Sequence, residues 1–170
     1  SLIKEAKNLS SMYTLADILN DKCETLDIRG VAHKGFFASI TDFPSYYAAN
    51  MALLNYKSAQ ELFHDNWPIY TRTNDSCPTQ YFNTADVKNS VISNGCQIEG
   101  TVENSVIGRG CVIKKGAVVR NSVVLAEVTV GEGVHVENEV VDKWAKLVHK
   151  KKSFPRLNSL VISEEMILCN

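Results

Sequence analysis

The sequence has no apolar run of the roughly 18 residues that would predict a membrane-spanning helix. It also has no hydrophobic signal core near Ser1, so neither a membrane span nor secretion is expected and the cytoplasm is the expected location. Charge is almost balanced, with 18 Lys plus Arg against 19 Asp plus Glu in 170 residues. A chain without a positive excess does not, as a whole, attract nucleic acid or an anionic membrane.

The five cysteines are odd in number and include no Cys-x-x-Cys pair. This argues against both a disulfide framework and a zinc site. Cys96 and Cys111 are predicted to be small residues at corners of the fold, with a redox role as the weaker alternative. His33, His64 and His149 have no acidic or thiol partner at a metal-ligand spacing, so no metal site is predicted.

A six-residue phrase, Val-Lys-Asn-Ser-Val-Ile with small variations, returns four times in the second half of the chain. Its copies are residues 87–92, 102–107, 119–124 and 136–141. Between them, aliphatic residues recur about every sixth position. This spacing is typical of a hexapeptide β-helix, in which three short strands make one turn and equivalent residues stack on successive turns.

The repeated asparagines are Asn89, Asn104, Asn121 and Asn138, separated by 15, 17 and 17 positions. Asparagine suits a corner because its side chain tolerates positive φ and hydrogen bonds to neighbouring backbone. Stacked asparagines can also hydrogen bond to each other. We therefore expect these four residues to form a structural ladder along one corner of the solenoid.

The first 66 residues follow a different pattern. Short amphipathic helices are predicted within residues 2–9 and 12–19. Alternating residues between Cys23 and Phe37, interrupted by Gly30 and Gly35, predict strands and a hairpin.

Two further helices are predicted before the repeats. Asp42 can cap the first, and Pro44 is tolerated in its first turn. A capping box at residues 58–61 predicts a second, shorter helix. From residue 67 to residue 84, prolines and polar turn residues predict an extended connector. Small helices with one hairpin do not enclose a core easily, so we expect the chain to be part of something longer.

Three phrases before the repeats resemble a known family. They are Gly35-Phe-Phe-Ala-Ser-Ile-Thr-Asp42, Tyr46-Tyr-Ala-Ala-Asn-Met-Ala-Leu-Leu54 and Asn66-Trp-Pro-Ile-Tyr-Thr71. Followed by hexapeptide coils, they are similar to the carboxyl-terminal part of glucose-1-phosphate adenylyltransferase, also called ADP-glucose pyrophosphorylase. That enzyme makes ADP-glucose from ATP and glucose 1-phosphate for glycogen or starch.

The resemblance implies a mainly β fold: a left-handed parallel β-helix preceded by a small α-rich remnant of a nucleotidyltransferase-like α/β domain. We expect residues 1–66 to be the end of that domain, 67–84 the connector, and 85–170 the β-helix with its tail. Handedness comes from the resemblance alone.

Catalytic members of the family carry Gly-Tyr-Trp-x-Asp-Val-Gly-Thr at the first phrase, and its Asp holds magnesium. Ser39 stands there in this chain. A neutral hydroxyl is a poor substitute, because magnesium in phosphoryl-transfer sites is usually attached through carboxylates. The chain thus resembles the GlgD-type, non-catalytic regulatory subunit. No catalysis and no cofactor are expected of this fragment, and magnesium is expected in a catalytic partner subunit.

Expected partners are that catalytic subunit, in a hetero-oligomer, or further copies of the chain itself. A basic stretch in the tail includes Lys150, Lys151, Lys152 and Arg156. By resemblance these residues are candidates for binding a phosphorylated metabolite, since charge-assisted bonds suit an anion. The simpler interpretation is a solvated segment that caps the last coil.

Two other functions remain open. Hexapeptide acyltransferases use a histidine as general base, and His135 lies in a coil, although a structural role fits its regular position better. A catalytically active sugar-nucleotide pyrophosphorylase with another sugar is the second alternative. Gly108-Arg-Gly110 and Gly131-Glu-Gly133 recur with the coil period and are predicted to be corners, not phosphate loops.

Overall fold

The computed structural model describes Lys4, residues 14–63, 68–70 and 75–148, and the strand at residues 161–162. The chain divides into two compact units, residues 1–34 and 35–170. The helix predicted within residues 2–9 lies outside the described residues, except for Lys4. No helix in the described part of the chain is long and apolar enough to cross a membrane.

Helix α1, Leu15–Asp21, belongs to the first unit and confirms the helix predicted near residues 12–19. It begins after Thr14, whose hydroxyl accepts the Asp17 N–H at 3.3 Å. In return, the Asp17 carboxylate accepts the Thr14 N–H at 2.8 Å. This reciprocal capping box satisfies backbone donors that have no partner within the helix.

The hairpin predicted between Cys23 and Phe37 is wrong, because residues 27–41 contain no strand. The alternating apolar side chains of this segment are largely exposed: Val31 is 92% exposed and Phe37 is 78% exposed. A two-stranded hairpin is marginal without a further surface to cover one of its faces.

Helix α2, Phe43–Ala52, begins where the sequence predicts. The Asp42 carboxylate accepts the Ser45 N–H at 2.8 Å, and proline occupies the first turn. Helix α3, Tyr56–Leu62, begins earlier than predicted, after Asn55, whose side chain accepts the Lys57 N–H at 2.9 Å. The capping box predicted at residues 58–61 is therefore wrong, since a better cap stands three residues upstream.

From residue 80 onward the chain winds into a parallel β solenoid of about four turns, and each of the first four coils adds one short strand to each of three sheets. The first sheet holds β1 Gln80–Tyr81, β4 Gln97–Ile98, β7 Val112–Ile113, β10 Thr129–Val130 and β13 Lys146–Leu147. The second holds β2 Asp86–Lys88, β5 Thr101–Glu103, β8 Val118–Arg120 and β11 His135–Glu137. The third holds β3 Val91–Ile92, β6 Val106–Ile107, β9 Val123–Val124, β12 Val140–Val141 and β14 Val161–Ile162.

The core of the solenoid is a stack of aliphatic residues in parallel register. In the second sheet, for example, Val87 pairs with Val102, Val102 with Val119, and Val119 with Val136. The last three are buried, and Val87 in the first coil is only partly so. Each buried valine contributes about 1.5 to 3 kcal/mol of transfer free energy before conformational entropy is counted. The hexapeptide prediction of a β-helix is thus confirmed, while its handedness stays an expectation.

Both ends of the solenoid are clear in the strand order. Strand β1 and the turn after it complete the first coil, although the sequence assigned residues up to 84 to a connector. At the other end, β14 pairs in parallel with β12.

Candidate functional site

The asparagine corner, formed by Asn89, Asn104, Asn121 and Asn138, lies between the second and third sheets. Their φ angles are 43°, 47°, 46° and 57°, all in the left-handed region. The side-chain amide of Asn89 donates to the Asn104 side-chain oxygen at 2.7 Å. Asparagine is among the few residues that adopt this conformation readily, because its side chain hydrogen bonds locally.

A column of serine hydroxyls runs beside the asparagines. Ser105 Oγ donates to the Glu103 carbonyl at 2.7 Å and accepts the Ser122 N–H of the next coil at 3.1 Å. Ser90 and Ser122 make the same two kinds of bond. The column satisfies buried backbone groups, so it is structural rather than nucleophilic.

Ser39 is exposed in the irregular segment before α2. The nearest carboxylate along the chain, Asp42, is used as a helix cap. Hydrogen bonds from the side chain and the backbone N–H of Ser45 hold the pKa of Asp42 below its usual value. A neutral hydroxyl and a carboxylate already engaged with backbone do not fit a magnesium site. Within the described residues, no three His, Cys, Asp or Glu side chains gather as metal ligands would.

An apolar cavity of about 470 Å³ lies between this segment and the two following helices. Phe36, Ile40, Tyr46 and Leu53 are among its lining residues. Helix α2 also contacts β9 of the solenoid, where the Tyr47 hydroxyl donates to the Asn121 carbonyl at 2.5 Å. Partial burial raises the pKa of that hydroxyl. One side of α2 is thus already used within the chain.

The cysteine corner, between the third and first sheets, stacks Cys96 on Cys111. Both are buried, and each thiol donates to a carbonyl oxygen: Cys96 to Gly108 at 3.1 Å and Cys111 to Leu125 at 3.0 Å. A hydrogen bond with the Cys96 thiol, and then burial, raise the pKa of the Cys111 thiol. These are the small corner residues that the sequence predicts, and only a protonated thiol makes such bonds.

His135 lies exposed on β11, in register with Val118 of the preceding coil. Val118, its paired neighbour, has no polar group that could orient an imidazole, as a general base requires. Gly110 and Gly133 adopt positive φ at turns, in agreement with the prediction that the Gly-x-Gly pieces are corners. The effector candidates Lys150, Lys151, Lys152 and Arg156 lie outside the described residues.

Sequence reasoning did not single out two features. The contact of Tyr47 is one of them, because nothing local in the sequence indicates a carbonyl partner 74 residues away. The shorter coil at Glu99 does leave a signal, because the asparagines that flank it are 15 residues apart rather than 17.

A family described as "GlmU-like, C-terminal hexapeptide" matches residues 78–152. A glucose-1-phosphate adenylyltransferase of Fervidobacterium nodosum is 33% identical over 141 residues, which are 82% of this chain and 34% of that protein. The glycogen biosynthesis protein GlgD of Geobacillus stearothermophilus is 40% identical over 118 residues, 69% of this chain and 34% of the relative. GlgD of Bacillus subtilis is 34% identical over 90 residues, 53% of this chain and 26% of the relative. The chain therefore spans about a third, or less, of the length of these relatives.

Proposed function

Because this chain belongs to the family of glucose-1-phosphate adenylyltransferases and GlgD proteins, matching their carboxyl-terminal part, we propose that it is the assembly and regulatory part of an ADP-glucose pyrophosphorylase subunit. The subunit would act in the cytoplasm, in glycogen biosynthesis, by favouring the active arrangement of a catalytic partner. The observation that carries the proposal is Ser39. Neither it nor the capping Asp42 supplies a free carboxylate for a metal, so the metal chemistry is assigned to the partner.

The solenoid suits such a role. Its coils are joined by stacked backbone hydrogen bonds and a continuous buried core, which makes a stiff body able to hold subunits in a fixed relation. A regulatory subunit needs this property, because it acts by stabilising one arrangement of its partner over another.

A contact surface is available beside α2. Phe37 is 78% exposed, and Ile40 is also exposed next to the apolar cavity. Exposed apolar groups of this kind favour contact with another protein surface. We therefore place the docking region at residues 36–40 and the side of α2 that does not face β9, together with the coils.

The first experiment mixes the full-length protein that carries this chain with a catalytic subunit and measures ADP-glucose formation. Alone, the protein should be inactive; in the mixture, turnover should rise to a plateau as the protein is added. Unchanged turnover at saturation would reject activation, and ADP-glucose formed by the protein alone would favour an active pyrophosphorylase.

The docking surface has a matched control. Phe37→Asp should shift the activation curve to higher protein concentration, because a charge would have to be buried at the contact. Val31→Asp changes an apolar residue that is at least as exposed, outside the proposed docking region, and should leave the curve in place. Equal shifts in both variants would mean that Phe37 marks no specific contact.

The effector proposal is tested on the same assembled enzyme. Lys150→Ala with Lys152→Ala should reduce the response to a phosphorylated sugar, and Lys57→Ala on α3 should not. A full response in the double variant would place the effector site elsewhere. Acyltransferase chemistry would be favoured instead by thermal stabilisation with acetyl-CoA that is lost in His135→Ala.

A further inference from the structure

The corner between the first and second sheets is shorter in the second coil than in its neighbours. In the first coil, residues 82–85 form a turn in which Ala85 N–H donates to the Phe82 carbonyl at 2.9 Å. In the third coil, residues 114–117 form an equivalent turn. The second coil passes from β4 to β5 through Glu99 and Gly100 alone, so it lacks the two residues at the tip of the turn.

The missing tip leaves a slot between the first and third coils. Successive coils are spaced about 4.8 Å apart, so the two flanking turns are separated by about one empty layer. The inner end of the slot is closed by backbone: a Cβ on Gly100 would lie 2.5 Å from the Ala117 oxygen and 2.8 Å from the Lys114 oxygen. On the other side, Thr84 Oγ1 donates to the Glu99 carbonyl at 2.7 Å.

On the first-coil side of the slot lies a surface cavity of about 370 Å³, lined by the first-coil residues Tyr81, Phe82, Asn83 and Thr84 and by Glu99 of the second coil. Tyr81 is 58% exposed and Phe82 is 43% exposed, so both rings offer surface to a ligand. Glu99 is half-buried beside them. The faces of aromatic rings carry partial negative charge and attract the polarised C–H groups of a sugar ring. A carboxylate and an amide can bind its hydroxyl groups.

Charge at the slot is mixed. Glu99 and Lys114 occupy equivalent positions on adjacent coils, because Ile98 pairs with Ile113, the residue before Lys114. Lys115 is exposed at the tip of the third-coil turn. The lysines oppose binding of a cation, and Glu99 opposes binding of an anion. An uncharged ligand with many hydroxyl groups is repelled neither by the lysines nor by Glu99.

We propose that this slot binds the pyranose ring of a neutral saccharide. Phe82 and Tyr81 pack against the C–H groups of the ring, and Glu99 and Asn83 hydrogen bond to its hydroxyls. The slot shares no residue with residues 36–40, with α2 or with the effector candidates, although it lies on coils that the proposed docking region includes. Because sugar binding is measured on this chain without a catalytic partner, its outcome does not depend on the proposed function.

The test titrates the full chain with maltotriose and with methyl α-glucoside, and follows binding by calorimetry and by saturation-transfer NMR. Saturable binding to at least one of the two sugars is expected. Glu99→Gln and Phe82→Ala should each raise the dissociation constant about tenfold, corresponding to about 1.4 kcal/mol of binding free energy. Tyr70→Ala removes a ring that is 91% exposed outside the slot and serves as the control, with unchanged affinity.

A second test of the slot leaves the Phe82 ring in place. Inserting Lys-Gly between Glu99 and Gly100 restores the turn found in the third coil and should fill the slot, so sugar binding should be lost while the circular dichroism spectrum is kept. If Phe82→Ala fails to fold, Glu99→Gln and the insertion decide the question.

Three results would overturn the proposal. The first is that neither sugar binds the unaltered chain saturably. The second is that affinity stays the same in Glu99→Gln and in the insertion variant. The third is that inorganic phosphate or tetramethylammonium binds the slot more tightly than the sugars, which would assign it to a charged ligand.

Discussion

The asparagine corner gives the sharpest stability prediction. In a regular helix or strand a glycine variant is less stable than an alanine variant, whereas at this corner the glycine variant should be the more stable one. Asn104 has φ 47° and accepts a hydrogen bond from Asn89. In Asn104→Ala, that bond is lost, at about 0.5 to 1.5 kcal/mol. The left-handed backbone conformation costs a residue with a Cβ and no local hydrogen bond about 1 to 2 kcal/mol in the folded state. The net loss in the alanine variant is smaller than this, because asparagine already bears part of the same cost.

Asn104→Gly loses the same hydrogen bond but carries no left-handed penalty. Its free energy of unfolding falls by the energy of that bond and by about 0.5 to 1 kcal/mol more, because glycine gives the unfolded chain more conformational freedom. Relief of the left-handed backbone strain offsets part of this loss. We therefore expect the glycine variant to be more stable than the alanine variant by about 1 kcal/mol.

The assay is urea unfolding of the chain, followed by tryptophan fluorescence and circular dichroism, with the slope of the transition compared between variants. Lys88, on the neighbouring strand β2, is the control: there glycine should be less stable than alanine by about 0.5 to 1 kcal/mol. If alanine proved as stable as glycine at position 104, the left-handed corner would not limit stability and the reasoning would be refuted.

Three further outcomes are expected. Gly100→Ala should destabilise the chain by about 1 to 3 kcal/mol in urea unfolding, because its Cβ would press on two backbone oxygens; Gly30→Ala, with nothing within 4 Å, should be nearly neutral. Ile113→Ala, in the buried core, should lower the free energy of unfolding by about 2 to 5 kcal/mol, and a loss below 1 kcal/mol would contradict the packing described. The folded-state pKa of Asp42 is lowered from 3.8, so its stabilising effect on α2 is present above that pH and is lost as pH falls through the lowered value. NMR shifts of the Ser45 amide should report this loss, and no change below pH 3.8 would contradict the cap.

The repeat region could be predicted from the sequence because each of its signals acts locally. Asparagine at a left-handed corner and valine at an inward position are each set by their own coil, and the period repeats them. The segment between Cys23 and Phe37 could not be predicted in this way. Alternation there shows only that a strand is compatible, whereas a stable strand also needs a partner strand, and Val31 is 92% exposed.

The candidate sites divide along the same line. Serine in place of the family's metal-binding aspartate, at position 39, is visible in the sequence because it concerns the identity of a single residue. The slot at Glu99 needs three coils to be superposed before the missing layer is visible. The contact of Tyr47 with Asn121 is likewise a long-range contact, and no pattern within the helix specifies it.

The serial pairing of coils has a consequence for how the molecule comes apart. Among the described strands, those of the second coil pair only with strands of the first and third coils, so pairing links each coil to its immediate neighbours. Local unfolding should therefore begin at the terminal coils and proceed inward, one coil at a time. Amides around Val102, Ile107 and Ile113 should then be the last to exchange with deuterium.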